Sequence, residues 1–202
     1  SSCSLYGKTD REWVDETCPI DPLTTYAQSK ILTEEKLSLL ADDQFSPIIL
    51  RFATVYGISP KLRTDLVVNN LVGWGVTTGH VQILSDGTPW RPLIHVEDAA
   101  AAYRFFLKAP LNAIHNQIIN VGFNSENYQI REIAEKVAQS LPDTKLSFAQ
   151  EPDRDSRSYR VDFGKFQKLS SLDPIWNLPA GILQLVEAYR DAGLTKAGFT
   201  GR

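Results

Sequence analysis

The chain has 202 residues, a formal net charge of −3, 43% hydrophobic residues and 22% charged ones. These proportions fit a folded globular protein, and with basic residues unclustered there is no electrostatic footprint for nucleic acid or an anionic membrane. No apolar run approaches a membrane span and no signal peptide opens the chain; Cys3 and Cys18 lack metal or redox spacing, which points to a reducing cytoplasm.

In chain order, residues 1–5 read as a strand end, with the hydroxyls of Ser2 and Ser4 at the carboxyl edge where open α/β sheets place ligands. Residues 8–23 are polar, carry two prolines and read as a loop. Thr24 or Thr25 caps a helix over 24–41. Its apolar positions Ile31, Leu32, Leu37, Leu39 and Leu40 nearly encircle its second half, predicting burial on more than one side. Residues 47–52 form a continuous apolar run, the pattern of a buried parallel strand, which feeds Ala53, Thr54 and Val55. A basic loop over 58–64 precedes a helix over 65–78. Short strands over 81–84 and 93–95 flank a turn built on Asp86-Gly87 and Thr88-Pro89. A helix from about Asp98 reaches Lys108, and a strand returns over 118–121. The pattern then predicts an amphipathic helix over 129–141, a strand over 145–148, a charged loop over 150–160, a short helix over 162–169 and a last helix over 179–192. Residues 194–202 read as a loose tail. His80, His95 and His115 are scattered and read as non-ligands.

Tyr26 and Lys30 stand four apart in the helix over 24–41, so both project from one face. Free tyrosine, with a pKa near 10, is a poor proton carrier at neutral pH, and a cation within a few ångströms lowers an acid's pKa by about 1–3. A phenol beside an ammonium is therefore an acid/base pair, and Ser2 can hydrogen-bond the same substrate oxygen. Of the seven tyrosines, Tyr26 alone has lysine at the fourth position after it.

Further short runs stand around this pair in order: Ser-Ser-x-x-hydrophobic-Tyr-Gly at 1–7, an acidic, proline-containing loop at 15–22, Tyr-x-x-x-Lys itself, Arg-x-x-x-hydrophobic-Tyr-Gly at 51–57, and Asp-Gly-Thr-Pro-Trp-Arg-Pro-Leu-Ile-His-Val-Glu-Asp at 86–98. As a set they resemble the extended, nucleotide-sugar-modifying branch of the short-chain dehydrogenase/reductase superfamily, the NAD-dependent epimerase/dehydratase type. The resemblance implies catalytic roles for Ser2, Tyr26 and Lys30. It implies cofactor contacts, to NAD or equally NADP, from Tyr26, Lys30, Ala53 and Val55. Substrate contacts would come from Ser4, Thr54, Asn69, Asn70, Arg91, Arg157 and Tyr159. An arginine fork such as Arg91 grips a diphosphate bidentately, although a solvated turn also carries arginine. Asn69 and Asn70, Asn70 the better match, serve equally as helix caps or a polar face, and Arg157 and Tyr159 sit as well in a charged surface loop. In similar enzymes the helix over 24–41 packs on a second subunit, which implies a homodimer.

Departures from the branch narrow the reaction. Dehydratases carry Thr-Asp-Glu where this chain has Ser2-Cys3-Ser4, and sugar decarboxylases carry Glu at the Ser4 position. Epimerase/reductases acting at ring carbons 3 and 5 use Cys at the Ser4 position; Cys3 is one residue off, and along a strand it faces the other way. The redox apparatus remains, and the expected function is an NAD(P)-dependent nucleotide-sugar epimerase working through a transient keto-sugar. A reductase or dehydrogenase acting on a small carbonyl substrate, and an inactive binding or dimerisation fragment, stay open.

The expected fold is α/β: the C-terminal part of a Rossmann-like doubly wound parallel sheet plus a small α+β substrate-binding lobe. Residues 1–60 form an incomplete dinucleotide-binding domain and 61–202 mainly the substrate lobe, with 93–122 returning to the first domain. The chain has no methionine and no Gly-x-Gly-x-x-Gly turn, so about 100 residues of a mononucleotide-binding half are expected upstream of Ser1.

Overall fold

A computed structural model describes residues 1–149 and 157–199. The expected loop over 150–160 and tail over 194–202 thus lie partly outside the described residues. A 3-10 turn, Cys3–Tyr6, is followed by α1 (Thr25–Leu39), β1 (Ile48–Phe52), β2 (Thr54–Tyr56), α2 (Val67–Thr78), β3 (His80–Ile83), β4 (Trp90–His95), α3 (Val96–Phe106) and the single turn α4 (Leu111–Ile114). Then come β5 (Gln117–Val121), a second 3-10 turn (Asn124–Glu126), β6 (Asn127–Gln129), α5 (Ile130–Ser140), β7 (Lys145–Phe148), α6 (Gly164–Ser170) and α7 (Leu178–Asp191).

The apolar run of β1 pairs in parallel with β5, and β2 pairs in parallel with β4, whose other edge takes β6 antiparallel. A separate parallel pair joins β3 to β7. Two apolar cores result. One gathers Leu50, Phe52, Ile94, Phe106, Ile119 and Val121 with Tyr159, Phe163 and Phe166. The other packs α2, α5 and α7 around Tyr56, Leu93, Val81 and Ile83. Local signals set the helix ends: Thr24 accepts from the Ala27 N–H, and Gln129 with Glu132 closes a reciprocal capping box on α5.

Three expectations need correction. The strand end over 1–5 shrinks to Ser2, which bridges Phe52 in parallel, because the chain tightens at Cys3 into a turn whose first backbone N–H groups need a cap. Helix α1 is not buried on several sides: only Ala27 and Glu34 are buried, while Leu32, Leu39 and Leu40 are 59%, 80% and 62% exposed. The inward stripe is mixed, Glu34 standing between the half-buried Ile31 and Leu37 and turned to meet Arg51 of β1. The described part of the tail is not loose either, since Phe199 is buried against Trp74 and Tyr189 and lies over Gly73.

Candidate active site

Three pieces converge on one brace. Glu34, two turns along α1 from Tyr26, receives Arg51 Nη2 at 2.7 Å and Nε at 3.0 Å, and also the hydroxyl of Ser1 at 2.6 Å. Arg51 Nη1 donates to the Tyr6 hydroxyl, which donates to Asn120 of β5. Burial disfavours the Arg51 charge, but its bonds to Glu34 and Tyr6 outweigh this and hold its pKa above the usual arginine value. Helix α1, the first 3-10 turn and the end of β1 are thereby fixed to one another.

On this frame Lys30 Nζ stands 5.3 Å from the centre of the Tyr26 ring. Lys30 also lines, with Ser1, Glu34 and Ile48–Leu50, a groove of about 110 Å³ between α1 and β1. Tyr26 is 55% exposed, so its hydroxyl is open to a ligand. The Ser2 oxygen accepts from the Ser4 N–H at 3.2 Å, which leaves the Ser2 hydroxyl hydrogen able to donate. The Ser4 hydroxyl is buried and finds no partner among the described residues. Cys3 lies in a 3-10 turn rather than a strand, so its exclusion rests on burial instead of alternation: its thiol donates to the Arg51 carbonyl, and burial pushes its pKa far above the ordinary thiol range. Ala53 is held to Val121, with Thr54 and Val55 half-buried beside it at the start of β2.

The substrate set is less uniform. Asn69 does not present its side chain to a ligand: its oxygen accepts from Gly57 N–H and its nitrogen donates to the Arg63 carbonyl, which makes it a brace. Asn70, half-buried, donates to the Thr64 carbonyl. Arg91 is no solvated surface arginine. It is 9% exposed, lies inside β4, donates from Nη1 to the carbonyls of Trp90 and Arg157, and sits over the Tyr159 ring. Arg91, Arg157 and Tyr159 are thus brought together, whereas Asp155 and Ser156 lie outside the described residues.

Sequence reading missed Glu34, whose signal was its place on the 26–30–34 stripe of α1. It also missed Arg63, which is ion-paired with Asp65 and close enough to Tyr26 to feel its charge. His95, read as a non-ligand, is 1% exposed, stacks on Trp176 at 4.3 Å and meets Gln184 at 2.9 Å.

The structure thus sets a tyrosine–lysine pair near the start of helix α1 on a parallel α/β frame. The sequence profile of the NAD dependent epimerase/dehydratase family matches residues 1–122, and the chain belongs to that family. It is 29% identical over 150 residues to the UDP-glucose 4-epimerase of Bacillus subtilis (strain 168), covering 66% of this chain and 44% of the relative. It is 27% identical over 194 residues to a putative UDP-glucose 4-epimerase of Methanocaldococcus jannaschii, covering 92% and 60%. The chain therefore spans about half the length of these relatives. Its fold matches that of UDP-glucuronic acid 4-epimerase from Bacillus cereus, solved in complex with UDP-glucuronic acid and NAD, with TM-score 0.81 or above: 0.82 at 22% identity, over 95% of this chain and 60% of that one.

Proposed function

We propose that this chain is the catalytic and substrate-binding part of an NAD(P)-dependent nucleotide-sugar epimerase. The observation that carries this reading is Lys30 beside the exposed Tyr26 ring on α1, on a chain of this family. Residues 1–60, with 93–122, form the remainder of the dinucleotide-binding domain, and the rest forms the substrate lobe. The two apolar cores follow that division only in part, since Tyr56 and Leu93 pack into the second and residues 159–166 into the first.

The residues fit the nicotinamide end of such a cofactor in their chemistry: an open phenol with an adjacent ammonium on α1, and the unspent Ser4 hydroxyl in the first turn. Bound there, the cofactor supplies a reversible acceptor for a hydride. Tyr26 would take the proton of a sugar hydroxyl as that carbon gives up its hydride to the acceptor, leaving a ketone. Lys30 stands beside the phenol and would bind the nicotinamide ribose. Ser2 donates to the reacting oxygen. Once the keto-sugar had turned its other face, Tyr26 would return the proton, and the carbon would be inverted with no net oxidation. Arg91, Arg157 and Tyr159 hold the diphosphate end of the nucleotide. The exposed leucines of α1 support a homodimer through residues 24–41. A cytoplasmic setting suits two free thiols.

With no Gly-x-Gly-x-x-Gly turn among its 202 residues, the chain alone holds NAD weakly and gives little turnover. Nucleotide binding is therefore the accessible test. Titration calorimetry with UDP is expected to give binding that Arg91→Lys weakens at least about tenfold through loss of the fork, with Tm little changed. No UDP binding by the folded parent chain would contradict the nucleotide reading and favour a small carbonyl substrate.

A further inference from the structure

The segment that leads into α7 is held almost entirely by acids. Asp98 accepts the N–H groups of Ile175 at 2.8 Å and Trp176 at 3.2 Å, and Glu97 accepts the Trp176 indole N–H at 2.9 Å. Glu126, in the turn before β6, takes the backbone N–H of Leu178, the first residue of α7. Its Oε1 also receives the Tyr128 hydroxyl at 3.3 Å. Its Oε2 is buried and finds no partner among the described residues, and the same holds for the hydroxyl of Tyr56.

We propose that Glu126 is a proton-operated latch for α7: protonated, it seats the helix start; ionised, it adds a second buried negative charge beside Asp98 and loosens it. The groups facing Glu126 are Tyr56 on β2, Asp98 on α3, Tyr128 on β6 and Lys136 on α5, with His95 on β4 next to Asp98. Lys136 is the one cation among them, and its ammonium lies 5.9 Å from the centre of the Tyr128 ring. His95 is no counter-charge: burial lowers its pKa, and its Nδ1 accepts the Glu97 N–H while Nε2 meets the Gln184 oxygen, the bonding of a neutral imidazole. Desolvation pushes the Glu126 carboxyl up to about 7, and the Tyr128 and Leu178 bonds only partly oppose it.

The latch reaches the candidate active site. At the far end of α7, the Tyr189 hydroxyl donates to the Asn69 carbonyl, and the Asn69 side chain holds the Gly57 N–H. The sign follows from the raised value. The stabilisation is complete below the unfolded value near 4.5, declines as pH rises, and is gone above about 7. The proposal does not depend on the catalytic assignment.

Hydrogen exchange of the whole chain between pH 5 and 8, corrected for intrinsic rates, tests it. The opening constants of the amides at Ile175, Trp176 and Leu178, and more weakly Gly57, are expected to rise by up to about tenfold per pH unit until Glu126 is ionised. In Glu126→Gln, which mimics the protonated acid, they stay flat, and β1 amides serve as the control in both. Equal pH slopes in parent and variant would overturn the latch. So would a Glu126 side-chain carboxyl that titrates near 4.5 by carbon NMR in the parent chain, a measurement that stands even if the variant does not fold.

Discussion

Glu34 and Arg51 show how one ion pair can decide the geometry of a site. Both side chains are nearly buried, at 7% and 5% exposure, and the carboxylate is shared with the Ser1 hydroxyl. Removing one partner leaves an uncompensated buried charge, whereas replacing both with apolar residues removes the need for compensation. Glu34→Ala is expected to destabilise the chain by about 3–5 kcal/mol, and Glu34→Leu combined with Arg51→Met to recover most of that loss. Urea denaturation of the parent chain and the two variants checks this. A loss under about 1 kcal/mol for Glu34→Ala would mean the pair behaves as a surface one. Gly57 is the second residue-level constraint. It sits at φ 105°, and a Cβ there would lie 2.4 Å from Nε2 of His95, so the Tyr-Gly ending of the 51–57 motif is a packing requirement as well as a turn.

At the scale of elements, the helices and parallel strands were legible because their periodicities differ: β1 is continuous, α5 is striped, and the caps at Thr24 and Gln129 are written in the residues. The first turn was not. Its Ser-Ser-Cys-Ser-Leu-Tyr text is apolar enough for a strand, and the Ser2 side chain that caps a 3-10 turn looks the same in a strand end. Helix α1 leaves its leucines outward within the single chain. Leucine count alone cannot tell a face packed on the chain's own sheet from one left outward, and here the polar Glu34 is the inward residue. Leu32 and Leu39 are instead available to a second copy. Sedimentation of the chain is expected to show a dimer that Leu32→Glu with Leu39→Glu converts to monomer at unchanged helix content. A parent chain that stays monomeric at high concentration would remove α1 as the interface.

For the whole molecule, two groups are assembled from distant text: Ser1, Lys30 and Glu34 with β1, and Arg91 with Arg157 and Tyr159. The family motifs made most of these readable, because each motif is a short run with a fixed local geometry. What they could not convey was how side chains are spent. Asn69 is used up on Gly57 and Arg63, and Arg63 is brought towards Tyr26, through contacts that no single motif contains. The central claim is that Tyr26, with Lys30 beside it, moves the proton during hydride transfer on a nucleotide sugar. Its most direct measurement is the rate of UDP-hexose interconversion by a polypeptide joining residues 1–202 to a dinucleotide-binding half, compared with Tyr26→Phe at equal UDP affinity. The account predicts a fall in kcat of about 100- to 10,000-fold; a Tyr26→Phe enzyme that turns over as fast as its parent would contradict it.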